Sequence, residues 1–106
     1  MSAIPMIHEL KTWPGPFEAV RTGAKRYELR KADRDFRVED WLNLREWDPT
    51  SRSYTGRQLW AEVTYITRGG EWGLPDGLRV LGIDAPHASP SRPVALGVLP
   101  DQAVQP

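Results

Sequence analysis

The chain has 106 residues, 14 Lys and Arg balanced by 14 Asp and Glu, and no cysteine. That length makes one domain, large enough to bury a core without metals or disulfides. The lack of cysteine excludes disulfide frameworks, thiol nucleophiles and thiolate zinc sites, and zero net charge argues against a surface that is sticky for polyanions throughout.

In chain order, residues 6–11 read as a first strand, broken by Trp13-Pro14-Gly15-Pro16. Pro16 suits the first turn of a short helix in which Phe17 and Val20 share a face. Gly23 suits its left-handed C-terminal cap. Residues 26–30 form a second strand and residues 40–47 a third. Asp48-Pro49-Thr50-Ser51 and Thr55-Gly56 are turn chemistry, which predicts a hairpin into a fourth strand over residues 57–67. A glycine-rich loop over residues 69–77 leads to a fifth strand at residues 78–84. Short strands, frequent turns and one short helix predict a mainly β (α+β) domain, a small closed or nearly closed β-barrel. This barrel domain is expected over residues 1–85. Residues 86–106, with Pro86, Pro90, Pro93, Pro100 and Pro106 and no aromatic residue, read as a proline-rich flexible tail.

No stretch approaches the ~20 apolar residues of a membrane span. The first five residues have neither the basic region nor the apolar run of a signal peptide. A cytoplasmic protein with no membrane association is therefore expected.

Residues 23–36 concentrate the chemistry. Between Arg21 and Arg37 stand seven basic residues and three acidic ones, a local excess of four in a neutral chain. Such an excess points to one anionic ligand at one place. Glu28 and Arg30 are two positions apart in a strand and so project from one face, opposite Tyr27 and Leu29.

Five segments carry a family resemblance: His8-Glu9-Leu10-Lys11, Gly23-Ala24-Lys25-Arg26-Tyr27-Glu28-Leu29-Arg30-Lys31, Asp33-Arg34-Asp35-Phe36, Leu44-Arg45-Glu46-Trp47-Asp48-Pro49 and Tyr54-Thr55-Gly56-Arg57. In this order they resemble a family of small bacterial and phage proteins of unknown function, related to the ASCH domains of the PUA-like superfamily. The resemblance runs from about Ile7 to Ile83. It implies a PUA-like/ASCH-like barrel with a cleft beside the helix and the G-x-K-x-x-E-x-R strand, in a superfamily that binds RNA or modified nucleosides. Two positions depart from the pattern: Ala32 where asparagine is usual, and Glu39 where glycine is usual.

The resemblance implies that Lys25, Glu28 and Arg30 line that cleft. Arginine grips phosphate with a planar fork and lysine supplies a point charge; Glu28 can accept from a base edge or a ribose hydroxyl. Hydrolytic ASCH proteins keep a lysine at the Lys25 position but carry a hydroxyl residue where this chain has Glu28. Lys25 and Glu28 are therefore the catalytic candidates only if the protein is an enzyme. The blander reading of Glu28 and Arg30 is a surface ion pair worth at most ~1 kcal/mol. His8 and Lys11 form a second group of ligand-binding candidates, although a lone histidine is more often a structural hydrogen bonder. Asp33 and Arg34 complete the set from the charged loop. Trp13 is a candidate stacking platform and Trp72 a candidate lid, while Trp41, Trp47 and Trp60 read as core or barrel wall. No metal and no cofactor is expected, because no metal-ligand spacing occurs.

The leading expectation is a nucleic-acid or modified-nucleoside-binding module, with single-stranded RNA the favoured partner. The alternatives are a hydrolase of a modified nucleoside or of RNA, and a protein-interaction domain.

Overall fold

The structure, a computed structural model, describes residues 4–91 and 98–99. In the first strand, β1 (Ile7–Thr12), burial alternates: His8, Leu10 and Thr12 face the interior and Ile7, Glu9 and Lys11 the other side. The helix α1 (Pro14–Arg21) holds Pro16 in its first turn, as the sequence predicts, with Pro14 there as well. Those positions have no intrahelical N–H partner to lose. Phe17 and Val20 are its buried residues. Gly23, at φ +84, takes the left-handed position after the helix, and the N–H groups of Thr22, Gly23 and Lys25 return to the carbonyls of Glu18, Val20 and Ala19.

The remaining elements are β2 (Tyr27–Lys31), β3 (Trp41–Asp48), β4 (Ser53–Thr67), a single 3-10 turn (Glu71–Gly73), β5 (Leu78–His87) and β6 (Val98–Leu99). They form one sheet in the order β2-β5-β4-β3-β1-β6. β3, β4 and β5 run antiparallel as a meander, β2 joins β5 antiparallel, and β1 lies parallel to β3 with Ile7 opposite Trp41. The fold is mainly β, as the sequence predicts.

The sheet is curled. In a flat sheet β2 and β1 would stand ~19 Å apart, four strand spacings. Yet Arg30 of β2 reaches the Lys11 carbonyl and the Thr12 hydroxyl of β1, at 3.1 and 3.3 Å. The expected barrel is thus a half-barrel whose open side is bridged by side chains. Its interior holds Leu10, Phe17, Val20, Phe36, Leu42, Leu44, Leu59, Ala61, Val63, Leu81 and Ile83.

The larger boundary differences from the sequence reading fall in β4 and β5. β4 begins at Ser53, because Thr55 and Gly56 belong to the strand and not to a turn. Between Arg45 and Trp47 the pairing slips, and Gly56 at φ +95 lies on the bulged side. The real turn is closed earlier, by Arg52 N–H on the Asp48 carbonyl at 2.7 Å. β5 continues to His87, past the expected boundary at residue 85, and Val98–Leu99 pairs with Ile7 and His8 of β1. Most of the expected tail lies outside the described residues.

Candidate functional site

β2 reverses the usual polarity of a strand. Tyr27 and Leu29 are 48% and 42% exposed, whereas Glu28 and Arg30 are 1% and 4% exposed. The register explains this orientation. Glu28 pairs with the buried Leu81 of β5, and the Arg26 carbonyl accepts the Ile83 N–H at 3.2 Å, which ties the start of β2 to β5. A slip by one residue would turn every β2 side chain over.

Inside, the charges form a chain. Lys25 Nζ donates to Glu28 Oε1 at 3.2 Å, and Arg30 Nε donates to Glu28 Oε2 at 3.1 Å. Arg30 Nη2 continues to the Lys11 carbonyl and Thr12 Oγ1, and Thr12 Oγ1 donates to the Leu10 carbonyl at 3.3 Å. Two cations thus flank one carboxylate, and only Lys25, with 20% of its side chain exposed, has an end near solvent. Both oxygens of Glu28 are engaged, one by each cation, and the carboxylate ties Lys25 to Arg30.

Beside Lys25 lies a cavity of about 200 Å³, lined by Gly23, Lys25, Arg26, Ile83, Asp84 and Ala85. It opens where α1 hands over to β2 and adjoins the distal part of β5. Lys25 therefore connects the buried chain to a solvent-accessible hollow. Arg26 and Asp84 complete its polar lining, and neither stood out in the sequence.

The other candidates lie elsewhere. His8 is wholly buried: its Nε2 sits 2.7 Å from Asp40 Oδ2, and its ring is 4.7 Å from that of Phe36. Asp40 also accepts the Met6 and Arg37 N–H groups, each at 3.0 Å, and so staples β1 to the loop before β3. His8 thus takes the structural role. Lys11 faces the opposite side of β1, with Nζ 4.0 Å from the centre of the Trp47 ring. Asp33 and Arg34 lie 3.8 Å apart, and the Arg34 guanidinium stands 5.8 Å from the centre of Phe36. Trp13 caps the helix start, half-buried, with its indole N–H unpartnered among the described residues. Trp72 is 96% exposed on the 3-10 turn, in a left-handed backbone at φ 53. Thr12 and Asp40 escaped the sequence reading because their partners are 18 and 32 residues away. The alternation of β1, which places Thr12 beside Leu10 and His8, was the one available signal for Thr12.

A second cluster stands on the surface. Glu18 accepts from Arg21 Nε at 2.9 Å and from Arg57 Nη2 at 3.1 Å. These two arginines hold its carboxyl down at about 2, from an ordinary 4.5, by hydrogen bonding first and by charge second. The same contact raises the pKa of Arg21.

Residues 7–83 match a family described as "Domain of unknown function (DUF3850)". The chain belongs to this family. The match starts at the first residue of β1, ends within β5 and so contains the charge chain and four of the six residues lining its adjoining hollow. A similar protein is the "Uncharacterized 12.9 kDa protein in GpA 3'region" of Escherichia phage P2, 39% identical over 66 residues. That stretch covers 62% of this chain and 59% of the phage protein, so less than two thirds of the relative is represented.

Proposed function

We propose that this domain binds single-stranded nucleic acid, or a nucleotide or modified nucleoside derived from it, with RNA the favoured form, at the Lys25–Arg26 end of β2. The observation that carries the reading is the buried Lys25–Glu28–Arg30 chain, an excess cation held in place beside an open hollow. A lysine fixed by Glu28 offers a point charge to phosphate while Arg26 supplies a second cation on the rim. The resemblance to ASCH domains points in the same direction. Binding without turnover is preferred to hydrolysis because Glu28, the carboxylate of the charge chain, is buried and only Lys25 of its members lines the hollow.

The test is fluorescence anisotropy of short single-stranded RNA and DNA against the purified chain, over a salt series and with product analysis. Expected are salt-sensitive binding, loss of affinity in Lys25→Ala and no product. Binding that ignores salt, or that Lys25→Ala leaves unchanged, would overturn the reading; turnover abolished in Glu28→Gln would replace it with the hydrolase.

A further inference from the structure

The outer face of the same strands carries a second feature. Tyr27 of β2 and Tyr65 of β4 are both cross-strand partners of Gly82 in β5, one on each side of it. All three share the face opposite Glu28 and Leu81. The tyrosines are 48% and 66% exposed, and between them stands a residue without a side chain.

Gly82 is not required by the backbone, since it is absent from the positive-φ glycines. Packing does not demand it either. A Cβ there would meet Thr64 Oγ1 at 3.4 Å and Tyr65 Cβ at 3.5 Å, which are ordinary contacts. A glycine inside a strand weakens it, and such a glycine often marks a bulge or a close approach by a ligand or another backbone. The strand beside it is also modified: the β4–β5 register shifts between Val63 and Tyr65, and this irregularity is what sets Tyr65 opposite Gly82. The result is a bare stretch of strand flanked by one exposed tyrosine on each side.

Two strand spacings place the tyrosine Cα atoms ~9.6 Å apart. A planar ring stacked on both needs the two aromatic rings ~7–8 Å apart, so the tyrosine side chains must lean toward each other as the ring enters. Charge beside the tyrosine pair is uneven: Lys25 Nζ lies 5.1 Å from the centre of the Tyr27 ring and Arg26 precedes Tyr27 on the β2 side, whereas the exposed Asp84 stands two residues after Gly82 on β5. A planar, uncharged ring attached to an anion is the chemistry that this combination recognises.

We infer that Tyr27, Gly82 and Tyr65 form a stacking slot for one unpaired nucleobase, whose phosphate lies toward Lys25 and Arg26. The inference rests on the nucleic-acid reading and adds a base subsite on the outer face to the charged hollow. The slot takes one base; recognition there comes from the π-face and is tolerant of sequence.

The experiment uses the full chain and a labelled single-stranded oligoadenylate in a salt series, with Tyr65→Ala, Gly82→Val and Lys25→Ala. Because Gly82→Val adds bulk inside a strand, Gly82→Ala and thermal unfolding of each variant accompany it. Tyr65→Ala should weaken binding roughly fivefold or more and leave the slope of affinity against salt unchanged, whereas Lys25→Ala should lower that slope. Oligonucleotide binding that Tyr65→Ala does not alter overturns the slot and leaves the nucleic-acid reading standing. If no oligonucleotide binds, that reading fails, and adenosine alone decides the slot. Ring-current shifts of the Tyr27 and Tyr65 signals in NMR on adding adenosine support it, and their absence overturns it. A concentration-dependent dimer that Tyr65→Ala dissolves also overturns it, by assigning this face to a second copy of the chain.

Discussion

Two carboxylates in this domain each sit between two cations, and they have opposite surroundings. Glu18 lies on the surface between Arg21 and Arg57; Glu28 lies inside between Lys25 and Arg30. Each has one partner three residues away; the second is the distant Arg57 for Glu18 and Arg30, two residues on in the same strand, for Glu28. Both carboxylates are thus doubly paired, and burial separates the two. At the surface water solvates whichever partner is left behind, so such contacts contribute little to stability. Inside, a carboxylate deprived of its partner has nothing to replace it. Glu28 is thus costly to bury and more costly to disturb.

The comparison is broken most directly at Arg30. Arg30→Ala leaves Glu28 facing β1 without its fork and opens the bridge between β2 and β1. Equilibrium unfolding in urea should show a loss of about 3–5 kcal/mol. The double variant Glu28→Leu/Arg30→Met, which removes both charges at similar volume, should recover most of that loss. Equal stability of the single and double variants would show that the ion pair is not what makes Arg30 matter.

A second buried carboxylate sharpens the point. Asp40→Asn keeps one acceptor oxygen but loses the charge that serves His8 and two backbone N–H groups, and the same assay should register a loss of about 1.5–3 kcal/mol. Lys25 stands between the extremes, partly exposed and joined to the buried chain. Lys25→Ala should cost about 1 kcal/mol of stability, and in oligonucleotide binding it should reduce the log–log salt slope by ~0.7, the value for one contact to a single strand.

Glu18 sets the lower end. Its carboxyl is depressed in the folded protein from 4.5 to about 2. A depressed carboxyl stabilises the fold above its unfolded pKa and ceases to do so as pH falls through its folded pKa. The small advantage of the parent over Glu18→Gln should therefore be present at neutral pH and vanish as pH falls from about 4.5 to about 2. It should also shrink with added salt. Thermal melts of the two proteins across that window provide the check, and an advantage that grows toward low pH would reverse the assignment.

Much of the fold was readable in the chain. The turn at Asp48, the cap at Gly23 and the apolar spacing of Phe17 and Val20 act over a few residues, and the helix and the β3–β4 hairpin follow from them. Gly56 misled because a glycine signals a positive φ without saying whether a turn or a bulge needs it. The candidate site was legible as a group, since alternation alone puts Glu28 and Arg30 on one side of β2. His8 and Lys11, adjacent in a motif, parted because their positions in β1 differ in parity.

By itself the sequence determined the periodicities: which side chains share a strand face, where the chain turns, and that charge gathers between Arg21 and Arg37. Those are consequences of backbone geometry within a few residues. Only the tertiary structure decided which face of β2 is interior, because hydrophobicity alone would bury Tyr27 and Leu29. Pairing with Leu81, the curl that brings β1 within reach of Arg30, and the partners waiting at Lys11 and Thr12 outweigh that preference. Tertiary structure likewise decided the placing of Tyr27 and Tyr65 on either side of Gly82. Cross-strand register is set by the whole sheet, and no local property of three residues so far apart in the chain could have specified it.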